Sequence, residues 1–397
     1  MKILVVAPQP FFTPRGTPFS VYYRTRALCE LGHEVDLLTY GQGEDVDIPG
    51  CRIVRIPAMR RLGPVPVGPS MLKLFLDCLM VAWTFGLLLK RRHDVVDAHE
   101  EAVFWCRWLK PVFRFRLIHD MHSSLPQQLH NFDFTKLRVF HWLFETLERS
   151  AARAADAVIV VCPALEAYAR TLTPDHDKIV LVENSLFDPV RLAHDAPATP
   201  TATERLAAAG HWLAQRERAC VLTYAGTLEV YQGIDRLLDA FSLVVRRLPE
   251  AGLLVIGGSP REVEYYRGVA ARIGILAAVH FAGQVAHEEA QRLVAAGGAS
   301  ISPRFAGDNT PMKIYQLMAA GVPLVATRID SHTQVLDDDI AILSGVTREE
   351  LADAILGALT DGDHVRIVAE RARKRYEERH GPNAYMEKMR RVLALVS

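Results

Sequence analysis

Short runs that are apolar throughout, each closed by a loop rich in polar residues, glycine or proline, restrict this chain's fold more than any other feature. Residues 3–7 (ILVVA) open the series, and residues 35–38, 53–56, 95–96, 117–118, 157–161 and 179–182 continue it. A second series occupies residues 221–225, 253–256 and 279–281, a run ending at Ile301, and residues 322–326. A strand apolar throughout is covered on both faces, as in a parallel sheet with helices on either side. Helical stretches lie between the runs, at 22–31, 144–154, 234–247, 351–359 and 365–376. Where the two series meet, Pro189, Pro197 and Pro200 mark a linker, followed by a polar helix near 204–216. At 397 residues the chain is too long for one ordinary core. The expected class is α/β, with two Rossmann-like, doubly wound parallel-sheet domains facing across a cleft. The expected boundaries are 1–188 and 217–380 for the domains, 189–216 for the linker, and 381–397 for a last helix crossing back to the first domain.

Charge excludes one class of partner. There are 46 basic and 46 acidic residues, without the basic excess of a nucleic-acid binder. The six cysteines are scattered without a CxxC pair, so neither a zinc site nor a disulfide framework is implied. The amino-terminal residues are too short for a signal peptide and look like a first strand. A reducing, cytoplasmic setting is the expectation.

The stretch most informative for function is residues 301–327, ISPRFAGDNTPMKIYQLMAAGVPLVAT. It reads as strand, loop, helix, strand. Thr310 can cap the helix, Pro311 suits its first position, and Gly321 can end it in the left-handed conformation. Arg304 in the loop and Lys313 in the first turn are cations near a helix N-terminus, where the dipole disfavours them. An anion seated between them explains both; solvated charges on an ordinary connection are the alternative. In doubly wound sheets, ligands bind beyond the carboxyl ends of the strands. That makes Arg15, Gly16 and Thr17, after the first strand, candidates for binding an acceptor or a phosphate, although plain turn chemistry serves as well. No GxGxxG occurs, which counts against a dinucleotide site of the dehydrogenase kind. His119, Asp120 and His122 end the strand near residue 118, where a histidine can bind or move a proton near neutral pH or be structural.

Residues 71–89 are strongly apolar, but Lys73 and Asp77 inside them would each cost about 3 kcal/mol at a bilayer centre. A buried or interfacial helix is expected rather than a span. Between Arg52 and Arg116, twelve Lys/Arg stand against five Asp/Glu, interleaved with Phe104, Trp105, Trp108, Phe113 and Phe115. That mixture suits an anionic membrane surface, and equally a core helix with solvated basic ends.

Taken in order, these segments resemble the retaining glycosyltransferases of family 4, which have the GT-B fold, over nearly the whole chain. The proline-rich first loop, its helix and GHEV at 32–35 resemble that family's acceptor loop. HDMHSS resembles the segment with its active-site histidine, best matched by His122. LERSAARAADAVIVVC resembles the motif before its usual serine, here Cys162, and VENS its Asn-Gly loop, with Ser185 for Gly. YAGTLEVYQGIDRLLDAF resembles the start of its donor domain, and 301–327 its donor-sugar loop and helix. The resemblance implies transfer of a sugar, with retention, from a UDP- or GDP-sugar to a glycan or lipid-linked acceptor. It implies no metal and no cofactor, the nucleotide-sugar being substrate. Carried over by position, His122 and Asp308 are expected at the reaction centre. Donor contacts are expected from Gly226, Thr227, Gln232, Gly257, Gly283, Gln284, Arg304, Asn309, Thr310, Lys313 and Gln316. Acceptor contacts are expected from Arg15, Gly16, Thr17, His119 and Asp120. The family's pair of glutamates is here Asp308 and Gln316, and its Arg and Lys of the donor domain are Thr227 and Gln232. A catalytically weak or inactive nucleotide-sugar-binding protein is therefore the alternative. The expected place of work is the cytoplasm, with peripheral contact at the inner face of an anionic membrane as the further option.

Overall fold

A computed structural model describes every residue except 14–15, 59–62, 64, 66–69, 125–137, 184–189 and 191–199, and the backbone alone at 138–143 and 200–202. Arg15, Ser185 and residues 189 and 191–199 of the expected linker lie outside the described residues. The chain divides into two compact units, Met1–Asp195 with Asn383–Ser397, and Ala196–Pro382.

The first unit runs β1 (Lys2–Ala7), α1 (Gly16–Glu30), β2 (Glu34–Thr39), β3 (Cys51–Arg55), α2 (Met71–Lys90), β4 (Val95–His99), α3 (Ala102–Phe113), β5 (Arg116–Met121), α4 (Arg138–Ala154), β6 (Ala157–Val160), α5 (Pro163–Leu172) and β7 (Ile179–Leu181). Its strands form one sheet in the order β3-β2-β1-β4-β5-β6-β7, every pair parallel. Ile3, Leu4, Val5 and Val6 are fully buried, as the unbroken apolar run requires. Each such side chain contributes about 1.5–3 kcal/mol by leaving water. The sheet order reverses between β1 and β4, so the loops after those strands flank its switch point. Helix α1 begins at Gly16, earlier than the apolar pattern indicates, so Gly16 and Thr17 form a helix start rather than a loop.

The second unit runs α6 (Pro200–Ala214), β8 (Val221–Ala225), α7 (Ile234–Arg247), β9 (Gly252–Ile256), α8 (Pro260–Arg272), β10 (Val279–Gly283), α9 (His287–Ala295), β11 (Ala299–Ser302), α10 (Met312–Ala320), β12 (Leu324–Thr327), α11 (Asp330–Thr333), β13 (Ile342–Ser344), α12 (Arg348–Thr360) and α13 (Gly362–Arg379). The sheet is again parallel, ordered β10-β9-β8-β11-β12-β13, with its switch point between β8 and β11. Helix α6, read from the sequence as part of the linker, belongs to this unit. It packs against β10, with Trp212 stacked on His280, because its Leu206, Ala209 and Leu213 need an apolar partner. The last helix, α14 (Pro382–Leu395), lies almost wholly within the first unit.

Candidate functional site

Side chains with unusual chemistry gather at both switch points. In the first unit the strands place them. β4 ends in Asp97 and His99, and β5 in Asp120 followed by His122. The β4–β5 register sets His99 opposite Asp120. From α1, the fully buried Arg24 donates from Nε to Asp120 Oδ2 at 2.7 Å and from Nη2 to the Val182 carbonyl at 2.8 Å. Its Nη1 reaches the Tyr385 hydroxyl of α14 at 3.2 Å. His99 Nδ1 lies 3.0 Å from His122 Nε2, and the two rings stack at 5.3 Å. His122 Nε2 is 3.3 Å from Asp120 Oδ1, and His99 Nε2 is 3.7 Å from Asp97 Oδ2.

Burial governs how these groups titrate. Desolvation pushes His99 down to about 3 and His119 to about 4, and lowers His122 despite the adjacent Asp120 charge. Burial alone would raise Asp120; the Arg24 guanidinium outweighs it, by charge and by hydrogen bond, and holds the carboxyl well below the usual range. Asp97, buried beside the Asp120 charge and without a hydrogen-bond partner at either oxygen, is raised far above it. The arrangement is thus neutral histidines, one ionised aspartate matched by one guanidinium, and one aspartate whose charged form is disfavoured by burial. His99, Asp120 and His122 offer three ligand atoms within 4.8 Å of one another. Arg24 already supplies Asp120 with a fixed cation, which disfavours a second one there.

Sequence expectation and structure part company in several places here. His122 follows β5 as expected, and is buried and stacked on His99. His119 and Asp120, expected to act together, point to opposite faces of the sheet because successive strand residues alternate. Arg24, Asp97 and His99 went unrecognised. A lone arginine inside a helical run reads as a solvated face, and the meeting of β4 with β5 is a tertiary fact.

In the second unit, Gly226 follows β8, Arg304 follows β11, and Lys313 is in the first turn of α10. Lys313 Nζ donates to Gln232 Oε1 at 3.3 Å and sits 4.2 Å from the centre of the Tyr224 ring. Gln232 Nε2 in turn reaches Thr227 Oγ1 at 3.4 Å. Arg304 donates to the carbonyls of Ala306 and Asn309, at 2.7 and 3.0 Å, and lies over the Tyr231 ring. Among the described residues, neither cation has a carboxylate partner within ion-pair distance. Desolvation, then the Arg304 charge, pushes Lys313 down to about 7; desolvation also lowers Arg304. The backbone at this point needs glycine. A Cβ on Gly257 would fall 2.0 Å from the Gly226 carbonyl oxygen, and one on Gly226 would fall 3.0 Å from Lys313 Nζ.

Thr310 does not cap the helix. The N-cap is Pro311, which has no capping side chain, and Thr310 Oγ1 is buried without a partner. The first N–H groups of α10 therefore have no side-chain acceptor, which is how a helix start receives an anion. Gly321 ends the helix at φ 62°, as the sequence indicates. Asp308 is exposed, with its carbonyl accepting from Gln334 Nε2 at 2.7 Å. Gln316 Nε2 lies 3.0 Å from His287 Nε2, an unexpected neighbour contributed by α9. Gly283 and the exposed Gln284 close β10. His332, also unforeseen, lies 3.0 Å from Ser302 Oγ and 2.7 Å from the Thr327 carbonyl, tying β11 to β12.

Residues 16–185 match the family model described as a glycosyl transferase 4-like domain, and residues 219–361 match glycosyl transferases group 1. A phosphatidyl-myo-inositol mannosyltransferase of Mycobacterium tuberculosis is 27% identical over 67% of this chain and 73% of its own length. A D-inositol 3-phosphate glycosyltransferase of Corynebacterium aurimucosum is 25% identical over 89% of this chain and 84% of its own. Among solved structures, sucrose-phosphate synthase from Thermosynechococcus elongatus superposes with a TM-score of 0.72 at 20% identity, covering 99% of this chain and 98% of the other. Anabaena HepE in complex with UDP superposes at 0.71 and 15% identity, covering 99% and 100%. At those identities the structures speak for the fold alone.

Proposed function

Because this chain belongs to the GT-B glycosyltransferases of family 4 type, we propose that it transfers a hexose, with retention and without a metal, from a nucleoside-diphosphate sugar to a hydroxyl of a glycan or lipid-linked acceptor. The observation that carries this reading is the pair Arg304 and Lys313, unmatched by carboxylates at the uncapped start of α10. A diphosphate leaving without a metal needs countercharge where its negative charge develops. Two cations, the first amides of α10 and the orphaned Thr310 hydroxyl can supply it. With Thr227 and Gln232 uncharged, the phosphate clamp has moved to the loop after β11. Gly226 and Gly257 let the backbone come close, and Gln316 with His287 faces the ribose. Asp308 and Asn309 accept from and donate to the sugar hydroxyls.

In the first unit, His122 orients the acceptor. It does so as a neutral imidazole held by stacking on His99. With retention on one face, an oxygen of the leaving phosphate takes the acceptor's proton, so His122 positions and does not abstract. A lipid-linked acceptor is favoured by the relatives whose names specify phosphatidyl-myo-inositol as the group they mannosylate. The test is incubation of the chain with UDP- and GDP-hexoses in chelator, with the anomer of the released or transferred sugar read by NMR. Retention at full rate in chelator is expected. An inverted product, or turnover only after a divalent cation is restored, would refute the reading, and tight binding of every donor without turnover would favour the inactive alternative.

A further inference from the structure

Helix α2 is long and apolar enough to cross a membrane by length and composition, yet its polar side chains tie it to the first unit. Lys73 pairs with Glu101, the Tyr40 hydroxyl donates to Asp77, and Trp105 Nε1 donates to Thr84 Oγ1 at 3.3 Å. Leu76, Met80, Thr84 and Leu88, four apart, are buried against the sheet. These contacts lay the helix on the unit and exclude a span.

The opposite face inverts what water selects. Met71, Leu74, Phe75, Cys78, Val81, Ala82, Phe85 and Leu89 follow helical spacing and are all exposed, with no charged residue in the stripe. Met71 is 78% exposed and Leu89 64%. Helix α3 packs beside α2 and extends the surface with Trp108, 71% exposed, and Val112, 68% exposed. Phe85 meets Phe113 edge-on at 5.6 Å, which brings the carboxyl ends of the two helices together. At those ends Lys90, Arg92 and Arg114 are exposed and, among the described residues, have no carboxylate partner. A helix dipole accounts for a cation at a helix end. It does not account for an apolar strip about 30 Å long, the length of a 20-residue helix.

We propose that the α2–α3 face is a membrane-docking surface, lying in the plane of an anionic leaflet with its apolar stripe among the acyl chains and Lys90, Arg92 and Arg114 on the headgroups. Apolar contact combined with unpaired positive charge fits a lipid surface better than a second copy of the chain, whose own Lys90, Arg92 and Arg114 would repel these. The inference does not depend on the chemistry proposed above, since binding is read without turnover.

The experiment is co-sedimentation of the full chain with phosphatidylcholine vesicles, with and without phosphatidylglycerol, at low and high salt. Binding to the anionic vesicles at low salt is expected, weakened by salt. Replacing the three cations together (Lys90→Gln, Arg92→Gln, Arg114→Gln) should weaken it about 100-fold, at roughly 1 kcal/mol per basic residue. Phe75→Gln with Leu89→Gln and Trp108→Gln should abolish binding to both vesicle types, with an unchanged or higher thermal midpoint. Failure of the parent to bind anionic vesicles at low salt overturns the proposal, as does binding by either triple variant equal to the parent's. A dimer in light scattering that the apolar variant dissolves would assign the face to a second copy instead.

Discussion

The two units share a topology and treat charge in opposite ways. Each sheet reverses its order once, between β1 and β4 in the first and between β8 and β11 in the second. At the first reversal the charges are buried and matched within the fold: Arg24 against Asp120, with neutral histidines packed around them. At the second, Arg304 and Lys313 rest on backbone carbonyls, an amide and aromatic rings. Topology supplies the location; the side chains decide whether a charge serves the fold or waits for a ligand. The difference can be broken experimentally from either side.

The largest expected effect is on the matched side. Arg24→Met leaves Asp120 ionised, buried and unpaired, which costs about 3–5 kcal/mol of stability. Urea unfolding measures it, and adding Asp120→Asn should recover part of the loss. In the second unit Arg304→Ala removes no ion pair but two hydrogen bonds to backbone carbonyls, so its stability should fall by less, about 1–2 kcal/mol. Equal losses from the two arginine variants would erase the distinction.

Next comes the histidine that the buried network positions. His122→Ala should lower kcat about 100-fold, the scale of misplacing a reacting group, in a chain that still folds but with a lower thermal midpoint, since the buried, stacked ring leaves a cavity. A near-parent kcat would remove His122 from the reaction centre.

How much of this was legible beforehand follows the same division. The strands were readable because unbroken apolar runs have one meaning in a parallel sheet. Arg304 and Lys313 were readable because strand, loop and helix are contiguous, so the helix start and its cations are placed by chain order alone. The Arg24–Asp120–His99 cluster was not, since it joins α1, β4 and β5 across about a hundred residues and exists only once the sheet order is known. Thr310 failed as a cap although its type and position suit one. Pro311 takes the N-cap in extended backbone and leaves the hydroxyl facing inward. Helix α6 was legible as a helix near 204–216, but the prolines that precede it assigned it to the linker rather than to the second unit.

On the unmatched side, Arg304→Ala and Lys313→Ala should each weaken nucleoside-diphosphate binding about ten-fold or more, since a charge-assisted contact is worth roughly 1.5–3 kcal/mol. Calorimetric titration with UDP and GDP reads this directly. Thr227→Arg, restoring a cation after Gly226, should partly rescue either variant. If both alanine variants bind like the parent, the second switch point is as self-contained as the first.

The smallest effect separates the two regions by pH. Lys313 is pushed down to about 7 by desolvation, so in the free protein it loses its proton across neutrality. A bound diphosphate favours the charged ammonium and raises that value. Between about 7 and the raised value, binding takes up a proton, and affinity falls towards ten-fold per pH unit. The terminal phosphate, with a second pKa of about 6, is already charged there and does not confuse the slope. Lys313→Arg, charged throughout, should bind with no slope between pH 7.5 and 8.5. The free protein should respond the other way over this range. A lysine depressed on folding makes the unfolded chain the stronger proton binder, so stability rises with pH from about 7. The histidines of the first unit act below that window. His99 and His119 are held neutral down to about 3 and 4, so stability falls as pH drops below the unfolded histidine value of about 6.5. Over one pH series, unfolding midpoints should therefore fall on the acid side with the histidines and rise above about 7 with Lys313, while UDP affinity falls over that alkaline range. An affinity flat across pH 7.5 to 8.5 would mean that Lys313 does not meet the diphosphate.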